Sequence, residues 1–126
     1  MKNLITLLIL CIGLSVNAQI SANGTDNSGI SSTALGEKST ASGNQSTALG
    51  NYTTASGTTS TAVGDYTTAS GISSTAMGDG TTASGRRSTA MGRGTTASDY
   101  ASTVIGQYNS SGSTATSADS FSTSAP

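Results

Sequence analysis

Side chains able to do chemistry are few in this chain, and their spacing argues against catalysis. There is no histidine, so an imidazole base, a Ser-His-Asp triad and a histidine metal ligand are all excluded. The carboxylates Asp26, Glu37, Asp65, Asp79, Asp99 and Asp119 stand singly, without the pairing that acid–base work needs. Gly78-Asp79-Gly80 is a fragment of the G-G-x-G-x-D pattern of calcium-binding rolls and reads as turn chemistry. The glycines recur at a fixed period and include no G-x-x-x-x-G-K that could cradle a phosphate. The one cysteine, Cys11, lies in an apolar N-terminal segment, so disulfides and thiol chemistry are not expected after it. No catalytic residue, cofactor site or metal site is assigned, and an enzyme is the least expected class.

The composition poses a second problem. From Gln19 onward there are 108 residues, and only nine are Leu, Ile, Val or Phe. That is far too little apolar surface to offset chain entropy in a conventional core. Disordered chains of such poverty usually carry high net charge, whereas here the formal charge is -1. A flexible low-complexity tract and a repeat fold with a core of small side chains both fit.

Periodicity decides between them. From Ser32 the chain falls into fourteen-residue units, and the second reads Ser46-Thr47-Ala48-Leu49-Gly50-Asn51-Tyr52-Thr53-Thr54-Ala55-Ser56-Gly57-Thr58-Thr59. The fifth position is glycine in all six copies: Gly36, Gly50, Gly64, Gly78, Gly92 and Gly106. The third is alanine in five copies and Val104 in the last. Each unit divides into two sevens of the form Ser/Thr-Thr-Ala-x-Gly plus two variable residues. A short Thr-rich strand followed by a glycine corner suits each half. One unit then makes one coil with two strands, and coils stack in parallel. At about 4.7 Å per coil, six coils give a rod on the order of 28 Å long.

Strand alternation places positions 1, 3 and 5 on one side and positions 2 and 4 on the other. Position 4 holds the only systematic bulk: Leu35, Leu49, Val63, Met77, Met91 and Ile105. A two-strand coil is too thin for large residues, so Ala and Gly are expected inside and this stripe outside. An outward apolar stripe needs cover, and self-association supplies it. The converse, a monomeric roll with the stripe inside, is the alternative.

Among the remaining residues, Tyr52, Tyr66 and Tyr108 share position 7 while Tyr100 does not. The three form either an exposed aromatic edge for a partner protein or glycan, or packing between corners. Thr33, Thr47, Thr61, Thr75 and Thr89 recur once per coil, as do Thr40, Thr54, Thr68, Thr82 and Thr96. A flat threonine face would suit ice binding, provided no apolar stripe shares it. The basic residues Lys38, Arg86, Arg87 and Arg93 make no nucleic-acid footprint.

The ends read differently. Residues 1–18 combine Lys2, an apolar run and Val16-Asn17-Ala18, the pattern of a signal peptide. Residues 19–31 form a lead-in with a half repeat, 32–112 the repeats, and 113–126 a Ser/Thr-rich tail that reads as part of something longer.

The alternation of Ser46-Thr47-Ala48-Leu49-Gly50 with Thr53-Thr54-Ala55-Ser56-Gly57 resembles the head repeats of trimeric autotransporter adhesins (YadA-like heads). The resemblance spans roughly residues 25 to 112. It implies an all-β, left-handed parallel β-roll that assembles as a homotrimer, with the Leu35 to Ile105 stripe in the seam and Gly36 to Gly106 at corners. It implies a non-enzymatic adhesin head, outside the cell or on the outer membrane, that binds proteins, cells or surfaces. No ligand residue follows from it. The chain shows neither the heptads of a stalk nor the membrane strands of that family, so membrane attachment would come only through a C-terminal anchor after Pro126. A purely structural fibre or spacer segment is the other non-catalytic reading.

Overall fold

A computed structural model describes residues 24–110. The signal-peptide reading, the start of the lead-in and the 113–126 tail lie outside the described residues.

The repeat folds as the period dictates. The first half of each unit gives a strand: β1 (Thr33–Leu35), β3 (Thr47–Asn51), β5 (Thr61–Asp65), β7 (Thr75–Asp79), β9 (Thr89–Arg93) and β11 (Thr103–Gln107). The second half gives shorter ones: β2 (Thr40–Ala41), β4 (Thr54–Ala55), β6 (Thr68–Ala69), β8 (Thr82–Ala83) and β10 (Thr96–Ala97). Odd strands form one six-stranded sheet and even strands a five-stranded sheet, both wholly parallel. The register is fourteen throughout, so Thr47, Ala48, Leu49 and Gly50 lie against Thr61, Ala62, Val63 and Gly64. The result is a parallel β-solenoid of about five turns. Asp26 bridges to Thr40, so the first coil already begins in the half unit before Ser32.

The interior is built from small side chains. Ala34, Ala41, Ala48, Ala55, Ala62, Ala69, Ala76, Ala83, Ala90 and Ala97 are all essentially inaccessible. Between them stand Ser46, Ser60, Ser74 and Ser88 from one sheet and Thr53, Thr67, Thr81 and Thr95 from the other. Those threonines are the largest fully buried side chains, which fixes how close the two sheets lie. Order comes from hydrogen bonds between coils and from close packing, with little large apolar burial.

Both corners are made by single residues in the left-handed region. At position 7 these are Lys38, Tyr52, Tyr66, Gly80, Gly94 and Tyr108, with φ between 51° and 61°. At position 14 they are Ser31, Gln45, Thr59, Ser73, Arg87 and Ala101, with φ between 54° and 62°. Most are not glycine, and each accepts a strain of roughly 1–2 kcal/mol. Hydrogen bonds between coils hold them there: Tyr66 N–H donates to the Asn51 carbonyl at 2.9 Å, and Thr59 N–H to the Asn44 carbonyl at 2.8 Å. The position-14 corner is also closed within its coil, where Ser60 N–H reaches the Gly57 carbonyl at 3.1 Å.

Glycine is required for a different reason. At Gly64 φ is 129°, a conformation that other residues rarely adopt. Gly57 has no such φ, but a Cβ there would lie 2.1 Å from the Gly71 carbonyl oxygen. The twelfth-position glycine therefore lets coils stack closely. Of the three first-half positions expected inside, Ala is buried throughout and Ser in the four inner coils (Ser46, Ser60, Ser74 and Ser88), whereas the fifth-position glycines are partly or fully exposed. By that point the strand is already turning away from the interior.

Candidate interaction surfaces

The outward side chains of the six-stranded sheet form a ridge. Register stacks Leu35 on Leu49, Leu49 on Val63, Val63 on Met77, Met77 on Met91 and Met91 on Ile105. Leu35, Met77 and Ile105 are exposed by 39%, 38% and 62%, and the others are half-buried. Nothing else within the described chain covers them, since the interior space is filled by Ala, Ser and Thr. Gly36, Gly50, Gly64, Gly78, Gly92 and Gly106 follow the ridge residues directly, with φ between 119° and 132°, two residues before the left-handed corner.

The threonine rows separate onto different sheets. Thr47, Thr61, Thr75 and Thr89 flank the apolar ridge, so that face is not a uniform hydroxyl plane. Thr54, Thr68 and Thr82 point outward from the five-stranded sheet, beside the exposed Ser56, Ser70 and Ser84.

The position-7 corner carries a column of stacked side chains. Tyr52 and Tyr66 lie nearly parallel, ring centroids 4.8 Å apart with an interplanar angle of 6°. Lys38 caps the column, its Nζ 4.6 Å from the Tyr52 ring centroid and donating to the Tyr52 hydroxyl. That hydrogen bond, with the attraction of the Tyr52 hydroxyl, raises the Lys38 pKa above its ordinary value. Further along, the Arg93 guanidinium lies 5.7 Å from the Tyr108 ring centroid. Beside the column runs a polar row at position 6. Asn51 Nδ2 donates to Asp65 Oδ1 at 2.8 Å, and Arg93 Nε sits 3.3 Å from Asp79 Oδ2. At the opposite corner Arg87 donates to the Tyr100 hydroxyl and lies near its ring.

Sequence reasoning put the tyrosines on one edge but missed the Lys38 cap, the Asn51–Asp65 bond and the Asp79–Arg93 pair. Each joins residues fourteen apart, so comparing every corner residue with its counterpart one unit on would have found them. Among the described residues no group of three or more Cys, His, Asp or Glu could hold a metal ion. Among them, too, no helix is long and apolar enough to cross a membrane, which says nothing of membrane β-barrels.

A family model described as the YadA head domain repeat matches residues 28–53, 55–81 and 83–109. These stretches fall on the coils and cover more than half of the chain. No curated protein matches it.

Proposed function

Because the chain belongs to the YadA head-repeat family, whose heads are associated with adhesion, we propose that it is a non-enzymatic adhesin head acting as a homotrimer outside the cell. The observation that carries this reading is the outward ridge of Leu35, Leu49, Val63, Met77, Met91 and Ile105. A solenoid whose interior is complete without its bulkiest side chains gains by burying them against another copy. At roughly 25 cal/mol per Å2, covering what is still exposed of one such side chain per coil contributes about 1 kcal/mol each, less than the full-burial value because each is already partly covered. Summed along the rod, these contributions favour association.

In this reading Gly36 to Gly106 let successive coils approach closely beside the seam, and the corners and the five-stranded sheet remain free for ligands. The partner is an extracellular protein, a glycan or an abiotic surface. Residues 1–18 direct export, and the head works at the cell surface or after release.

Light scattering together with circular dichroism on the chain tests the proposal. A β-rich trimer that becomes a β-rich monomer on Val63→Asp and Met77→Asp supports the seam. A folded monomer without substitution overturns it and returns the threonine faces to an ice-recrystallisation assay. A trimer that adheres to no protein, cell or surface leaves a structural spacer.

A further inference from the structure

The position-7 column lacks a side chain at two successive levels, Gly80 and Gly94. Successive corners lie in register, since Tyr52, Tyr66, Gly80, Gly94 and Tyr108 each donate a backbone N–H to the sixth-position carbonyl of the preceding coil. Lys38, Tyr52 and Tyr66 fill three consecutive levels. Tyr52 covers one face of the Tyr66 ring, and the next level of the column, Gly80, carries no side chain that could cover the other. A Cβ at Gly80 would meet nothing nearer than the Gly94 backbone nitrogen at 4.0 Å. One coil further, the space is taken again: Tyr108 Cδ1 and Cε1 would lie 2.7 and 3.0 Å from a Cβ on Gly94. The space beside Gly80 is thus left open between Tyr66 and the Tyr108 ring that lies across Gly94.

We infer that this opening binds a single sugar ring of a neutral polysaccharide, stacked on Tyr66. A pyranose presents a flat face of C–H bonds with hydroxyls around its rim. Tyr66, 57% exposed, offers the apolar platform, and its electron-rich face attracts polarised C–H bonds. Alongside, Asp65 and Asp79 offer carboxylate oxygens and Arg93 offers guanidinium N–H groups, all suited to hydroxyl partners. Asp79 and Arg93 are more than half exposed despite their ion pair. An anionic ring would meet two carboxylates at the same edge, and a wholly apolar aromatic ring would strip water from them. The proposal rests on the adhesion reading for its setting, and it names the ligand class that one corner of the head would take.

The opening can be plugged as well as dismantled. Tyr52, Tyr66 and Tyr108 hold φ of 51°, 51° and 55°, and Gly80 holds 61°, so Gly80→Tyr places a fourth tyrosine on a backbone that already carries three. The test is affinity electrophoresis of the full chain through gels containing dextran, galactan or xylan, with trimer mass and thermal melting measured on the same samples. The expected result is retardation by at least one polysaccharide, weakened at least tenfold by both Tyr66→Ala and Gly80→Tyr while mass and melting persist. No retardation by any of the three, or equal retardation of Gly80→Tyr, overturns the proposal. Binding of a tyrosine- or proline-rich peptide that both substitutions abolish, without polysaccharide binding, also overturns it and assigns the opening to protein ligands. A monomeric mass with polysaccharide binding intact sinks the seam and leaves this site standing.

Discussion

A Cβ built on Gly64 would lie 1.9 Å from the carbonyl oxygen of Gly78, one coil further on. The clash is with backbone, so no side-chain rotation relieves it, and φ at Gly64 is 129° as well. Gly64→Ala is therefore expected to cost about 2–4 kcal/mol or to break the roll at that coil. Gly80→Ala meets open space and carries only the left-handed penalty of about 1–2 kcal/mol. Thermal melts of the two variants should separate clearly, and equal melting would refute this account of the fifth-position glycines.

The interior tolerates no added volume. Ala62 is wholly buried in a coil whose largest inward side chain is threonine. Ala62→Leu should destabilise by about 1–3 kcal/mol or more, while Met77→Leu on the outward ridge should stay within about 1.5 kcal/mol. Urea unfolding monitored by circular dichroism reads the difference. A leucine accommodated at residue 62 without loss would mean that the sheets can separate.

Coil length is the unit of tolerance. Deleting the fourteen residues from Ser60 to Ser73 removes one turn and rejoins Thr59 to Ser74 in register, so the far-ultraviolet spectrum per residue should persist with a modest loss of stability. Deleting only Ser60 to Tyr66 moves every later strand to the opposite sheet. The spectrum should then lose strand signal beyond the junction. If both deletions behave alike, the two halves of the unit are interchangeable, contrary to the difference in φ between the fifth and twelfth glycines.

The Asp79–Arg93 pair should matter little to folding. Both side chains are more than half exposed, and such pairs contribute between about 0 and 1 kcal/mol. Arg93→Ala is expected to change the melting midpoint by only a degree or two, less still at high salt.

Much of this architecture can be read from spacing alone. Ala48 and Ala55, seven residues apart and repeated every fourteen, mark two strands per coil, and their alternation with Leu49 and Ser56 separates inside from outside. The corners were harder to read. Tyr52, Gln45 and Thr59 carry no intrinsic preference for left-handed φ, and only the hydrogen bonds from the neighbouring coils impose it. Sequence reasoning expected glycine to make the bend, yet Gly64 serves the close approach just before it. The Lys38–Tyr52–Tyr66 column also depends on contacts between levels, which the one-dimensional pattern suggests only once the register is known.

The hydrogen bonds between coils run along the rod, so a pull on its two ends loads them one level at a time. Each level that opens frees about fourteen residues, or roughly 45 Å of extended chain after the lost rise. A head under flow would therefore yield in short, repeated steps at nearly constant force, dissipating work while the remaining coils stay wound.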